Sequence, residues 1–186
     1  RDELTDIDRF YEKVIHKVKV PLMIDATSPK SVERALTYCQ GKAIINSINF
    51  EDGNEKFEHV MPLAEKYGAA VVIGSIDEDK LQAQAITRER KLAIAQRAHK
   101  YCTQEWNFPE EDLIFDPLVF PCATGDENYI GSAVETIEGT RMIKAALPRC
   151  KTQLGISNVS FGLPPAAREV VNSVFLFYCT KAGLDL

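Results

Sequence analysis

Four polar side chains stand where apolar runs end: Asp25 in PLMIDAT (21–27), Asn46 in AIINSIN (43–49), Asp116 in LIFDPLVFP (113–121) and Asn158 in LGISNVSFGLP (154–164). A packed core does not choose such residues without a partner for them. A carboxylate accepts two hydrogen bonds side by side, which suits the edge of a flat heterocycle that shows an amino group beside a ring N–H. Carboxamides donate and accept, so they suit the remaining ring nitrogens and a carbonyl without adding charge. A pterin has such an edge.

Each residue also has a plainer reading. Asp25 precedes Ala26, Thr27 and Ser28 and equally fits a helix cap or turn. Asn46, followed by Ser47, could begin a loop, and Asn158 could sit in a turn. Asp116 lies in a run that is otherwise apolar from Leu113 to Phe120, apart from Pro117, and is harder to account for that way. Four such groups at the same end of successive strands weigh more than any one alone.

The elements that must position them follow from apolar periodicity. A helical face at 6–18 carries Ile7, Phe10, Tyr11, Val14, Ile15 and Val18, and a strand is expected over 20–26. Ser28 and Pro29 mark an N-cap and first helical residue of a helix running to Cys39. Strands follow at 43–48, 69–76, 112–115 and 152–157. The intervening helices fall at about 54–67, 87–104 and 131–146, with a last one from Pro164 and Pro165 to Ala182. The run at 69–76 hardly alternates, which implies burial on both faces and a parallel sheet. Polar groups gathered from many strand ends favour a barrel mouth over an open sheet. Five strands cannot close an eight-stranded ring, so the expected architecture is α/β: a (β/α)8 TIM barrel of which this segment holds about five strands.

The sequence is 186 residues long, with 45% hydrophobic and 26% charged residues, the composition of an ordinary folded domain. It begins at Arg1 without a signal-like stretch, so further sequence is expected upstream. No apolar run is long enough to span a membrane. Net charge is −5 with scattered basic residues, which argues against nucleic acid as a partner. The five cysteines are widely spaced with no C-x-x-C, so neither a disulfide framework nor a structural zinc site is expected, and a reducing cytoplasm fits. Cys122, after Pro121, reads as a part-buried thiol rather than a nucleophile. Glu51, Asp52 and Glu55 read as a solvated loop, and Phe175, Leu176, Phe177 and Tyr178 as helix-to-barrel packing.

Taken in order, the four motifs resemble the strand ends of the pterin-binding methyltransferase family. That family includes the folate domain of cobalamin-dependent methionine synthase, the methyltetrahydrofolate:corrinoid iron-sulfur protein methyltransferases and, more distantly, dihydropteroate synthase. The segment SNVSFGLPPAAREVVNSVFL (157–176) most resembles the methionine synthases, in which a Phe-Gly-Leu-Pro loop leads into an Arg-x-x-x-Asn helix; Arg168 and Asn172 fit that pattern. The Lys or Ser-x-Arg signature expected of dihydropteroate synthase near the last strands is not found.

The resemblance implies a barrel that binds 5-methyltetrahydrofolate at its C-terminal mouth and passes the N5 methyl to cob(I)alamin, and thence to homocysteine. It implies ring contacts from Asp25, Asn46 and Asp116, an Asn158 that reaches toward N5 as catalytic residue, and a supporting role for Ser160, Arg168 and Asn172. Residues 1–186 would be a partial domain without the family's first two strands and last strand. Cobalamin would be bound by another domain, and zinc would belong only to a homocysteine domain outside this segment. The expected partners are the folate and the cobalamin-binding domain or protein. The corrinoid iron-sulfur methyltransferase and a catalytically inactive folate-binding segment are the alternatives. The mechanism expected has no dedicated general acid, because no histidine or cysteine stands at these strand ends.

Overall fold

The computed structural model describes residues 2–186. Five strands form one sheet in the order β1 (Met23–Asp25), β2 (Ile44–Ile48), β3 (Ala70–Gly74), β4 (Leu113–Asp116) and β5 (Lys151–Thr152), and every neighbouring pair is parallel. Helices α1 (Glu3–Val14), α2 (Pro29–Leu36), α3 (Glu55–Tyr67), α4 (Arg88–Glu105), α5 (Ser132–Ala146) and α6 (Pro165–Ala182) precede, link and follow them. The expected α/β order is therefore present, and a run of parallel strands joined by helices is the barrel's building unit.

Local signals set most boundaries. Asp2 caps α1 through its side chain, Thr87 caps α4, and Pro29 opens α2 at a position where its missing N–H costs nothing. Gly68 ends α3 at φ +63°, a left-handed conformation that glycine reaches without a Cβ penalty. The second helix stops at Leu36 rather than Cys39. Asp112 belongs to a 3-10 turn (Glu110–Asp112), not to β4.

The larger difference is at β5. Only Lys151 and Thr152 join the ladder, and the expected continuation coils into a 3-10 turn at Ile156–Ser160. Asp185 and Leu186 amides take the Thr152 carbonyl instead, so the chain's last residues cap this strand.

The main core lies between sheet and helices. Ile24, Ile45, Ile48, Val71, Ile73, Leu113 and Phe115 point to that side, against Val32, Phe57, Met61, Ile94 and Ala98. A second, smaller cluster of Ala70, Val72 and Ile114, with Ile44 beside it, occupies the opposite face. The strands are thus covered on one side by helices and on the other by their own small apolar layer. Of the aromatic group on α6, Phe175 is 4% exposed, whereas Phe177 and Tyr178 are 53% and 51% exposed. The expectation that all four residues of 175–178 pack inward fails, because consecutive helical positions point about 100° apart. No helix is long and apolar enough to cross a membrane among the described residues.

Candidate pterin site

Strand parity decides which way the predicted residues face. Met23, Ile44, Val72 and Ile114 share the face away from the helices, and side chains two residues on point the same way. That rule puts Asp25, Asn46 and Asp116 on this inner face. Asp25 and Asn46 are register partners on β1 and β2, and Asp116 is the register partner of Gly74. The sheet is parallel throughout, so all three stand toward its carboxyl edge.

Asn46 is not a strand end but the first residue of a bulge. Register runs Ile45 with Val71 and then Ile48 with Ile73, leaving Asn46 and Ser47 opposite Val72. The extra residue keeps both Ile45 and Ile48 in the helix-side core while turning Asn46 away from it. The Asn46–Ser47 peptide is cis.

Asp25 is exposed, and with Asn46, Ser47, Asn49 and Thr27 it lines a cavity of about 440 Å³. A second cavity of about 550 Å³, lined by Gln82, Gln84, Phe120, Asn128 and Tyr129, shares Glu51 with the first. Neither contains Asp116 or Asn158. Asp116 lies two strands from Asn46, on the order of 10 Å across the sheet.

Asp116 is half-buried by surface, but its carboxyl group sits deep among protein atoms. One oxygen accepts from the Leu118 amide at 2.9 Å and the other from Gln153 Nε2 at 3.4 Å. Burial raises its pKa above the ordinary carboxyl value, opposed by those hydrogen bonds and by nearby Lys91. Gln153 escaped the sequence reading. It follows Thr152 on β5, and its amide donates to the Phe115 carbonyl at 2.9 Å, so its parity matches that of Asp116.

Lys91 escaped it as well. It is fully buried, donating from Nζ to the carbonyls of Ala85 (2.8 Å), Leu118 (3.4 Å) and, by a short bond, Pro117. Three carbonyls match the three protons of an ammonium. Burial pulls its pKa down to about 8, while Asp116 and Glu135 act the other way. Lys91 so pins the segment that follows Asp116, where Leu118 has φ +63°.

Asn158 is exposed and lies in the 3-10 turn, not at the end of β5, because the strand ends early. Its side chain lies over Gly155, where a Cβ would meet Asn158 Nδ2 at 3.2 Å. Ser160 and Arg168 fasten this turn. Ser160 Oγ donates to the Ser157 carbonyl (3.2 Å), and Arg168 reaches both Ser160 Oγ and the same carbonyl. Asn172, one turn further along α6, has a buried Oδ1 with no hydrogen-bond partner. The acidic loop is solvated as expected: Lys56 Nζ pairs with Glu51 at 3.0 Å and Asp52 at 3.4 Å.

All 186 residues match the family described as pterin binding enzyme. The chain belongs to that family. It is 40% identical to a methionine synthase of Mycobacterium tuberculosis (strain ATCC 25618 / H37Rv) and 38% identical to one of Mycobacterium leprae (strain TN). Each match takes in 100% of this chain but only 16% and 15% of those proteins, so the chain spans about a sixth of their length. In fold it is similar to Yersinia pestis DHPS with a pterine-sulfa conjugate: TM-score 0.66 at 12% identity, over 99% of this chain and 69% of that one. The pterin-binding fold expected from the sequence is thereby borne out.

Proposed function

We propose that this chain is the folate-binding part of a methionine synthase, a partial (β/α)8 barrel that holds 5-methyltetrahydrofolate so that its N5 methyl passes to cob(I)alamin, for methionine synthesis from homocysteine. The observation that carries this reading is the shared inner face of Asp25, Asn46 and Asp116 at the carboxyl edge of parallel strands, where α/β folds bind ligands. Identity of 40% and 38% to methionine synthases favours this assignment over the corrinoid iron-sulfur methyltransferase.

In this reading Asp116 is the ring anchor. Leu118 and Gln153 fix its carboxylate, leaving its remaining lone pairs for the paired N–H groups of the pterin edge. Asn46 and Asp25 serve the ring's other polar atoms, and the apolar layer of Val72 and Ile114 lies beneath.

Methyl transfer breaks the N5–CH3 bond with its electron pair left on nitrogen, so N5 must gain a proton or strong hydrogen bonds as the bond breaks. In this reading Asn158, on the turn that Ser160 and Arg168 clamp, works through its carboxamide and water. Cobalamin would supply the cobalt(I) nucleophile from a separate domain, and no residue of this chain is assigned to it. A cytoplasmic setting accords with five free thiols.

Transfer from 5-methyltetrahydrofolate to added cob(I)alamin tests the proposal, with loss of the cob(I)alamin spectrum as the readout. Turnover that Asn158→Ala slows more than it weakens folate binding is the expected result. Folate binding with no transfer would reject the transferase reading.

A further inference from the structure

At the opposite edge of the sheet three potential metal ligands converge. His99 comes from the C-terminal half of α4, Glu110 from the turn before β4, and Cys150 from the residue before β5. Their ligand atoms all lie within 4.8 Å of one another. We propose that His99, Glu110 and Cys150 form a binding site for a divalent transition metal, best matched by zinc.

Nitrogen, sulfur and carboxylate oxygen together are a zinc donor set, whereas magnesium and calcium take oxygen alone. His99 Nε2 lies 3.3 Å from Glu110 Oε2, and it is buried without a hydrogen-bond partner, a polar atom for which a metal would supply one. Glu110 divides its oxygens: Oε1 lies 3.6 Å from Arg149, and Oε2 faces His99. Cys150 is buried, and burial pushes its thiol up to about 11, so it carries its proton at neutral pH. On metal binding the S–H bond breaks, its electron pair forms the sulfur–metal bond, and the proton leaves to solvent.

A tetrahedral zinc needs its ligand atoms roughly 3–4 Å apart; the three lie within 4.8 Å, so metal binding draws them together and leaves a fourth position for water. The site ties α4 to the starts of β4 and β5. Its role is to brace the sheet, away from the pterin end, and it stands whether or not folate binds.

Zinc titration followed by thermal melting, together with cobalt(II) spectroscopy on the purified protein, tests this. Zinc is expected to raise the Tm of the wild type and leave Cys150→Ser unmoved. Cobalt(II) is expected to give thiolate-to-metal charge-transfer absorption that is lost in Cys150→Ser and kept in Cys39→Ser. Glu110→Gln is expected to keep a native circular dichroism spectrum and bind zinc more weakly, which separates ligand loss from misfolding. A cobalt spectrum without that band, or one unchanged in Cys150→Ser, overturns the proposal.

Discussion

Arg168 reaches from the first turns of α6 to Ser160, its Nε donating to Ser160 Oγ at 3.2 Å while Nη2 donates to the Ser157 carbonyl at 3.3 Å. The two contacts bracket Asn158, so Arg168 holds the turn that carries the candidate N5-facing residue. Arg168→Ala is expected to lower kcat for methyl transfer by about 10- to 100-fold with a smaller change in KM. Arg168→Lys, which keeps charge but not the fork, should fall between. Steady-state kinetics on both variants separate this positioning role from folate binding, which would move KM instead.

Gly155 is the floor beneath Asn158. A methyl group there would stand 3.2 Å from Nδ2, tight enough to push the carboxamide aside, while the backbone at φ −76° tolerates alanine. Gly155→Ala should therefore slow methyl transfer with the Tm nearly unchanged. Equal turnover in the variant would remove Asn158's orientation from the account.

Lys91 gives a pH signature. Its folded pKa of about 8 lies below the ordinary 10.5. Below pH 8 the amine is charged in both states and its burial costs stability in full. Between those two values the unfolded chain binds the proton that the native state has shed, so stability from this group rises with pH. Urea unfolding of the wild type and Lys91→Met should show the wild-type advantage growing from pH 8 to 10. At pH 7, Lys91→Met is expected to be destabilised by about 1–3 kcal/mol through unsatisfied buried carbonyls.

Gly139, in the middle of α5, lets that helix close over Lys91. A Cβ at this position would meet Lys91 Cδ at 2.8 Å and Lys91 Cβ at 3.5 Å. The lysine is pinned at its tip and cannot swing away, so Gly139→Ala should destabilise by about 1–3 kcal/mol despite alanine's better helix propensity. A rise in the urea midpoint would contradict this packing.

Most of the fold was legible because each element carried its own local signal. The valine- and isoleucine-rich run at 70–74 could only be a strand buried on both faces, and Pro29 and Gly68 marked a helix start and a helix stop. Asp116 stood out because an acid in an apolar run has few structural uses. The bulge at Asn46 was not legible: Ile44 and Ile48 suit a regular strand, and only the register shows Ile45 and Ile48 sharing the helix-side core. Lys91 could not be read, since in RERKLA it looks like one more solvated charge and only its contacts with 85, 117 and 118 reveal otherwise. The early end of β5 was equally hidden, because Leu154 and Ile156 keep the apolar character of a strand while packing against α6. The His99, Glu110 and Cys150 cluster spans 52 positions of sequence, far beyond any ligand spacing a motif search would join.

The central claim is that Asp116 grips the pterin edge, and isothermal calorimetry of 5-methyltetrahydrofolate binding tests it most directly. Asp116→Asn preserves size and can still accept from the Leu118 amide, but it loses the charge. The variant is expected to bind more weakly by about 1.5–3 kcal/mol, on the order of ten- to a hundredfold in Kd. An unchanged Kd in Asp116→Asn, and again in Asp116→Ala, would contradict the account.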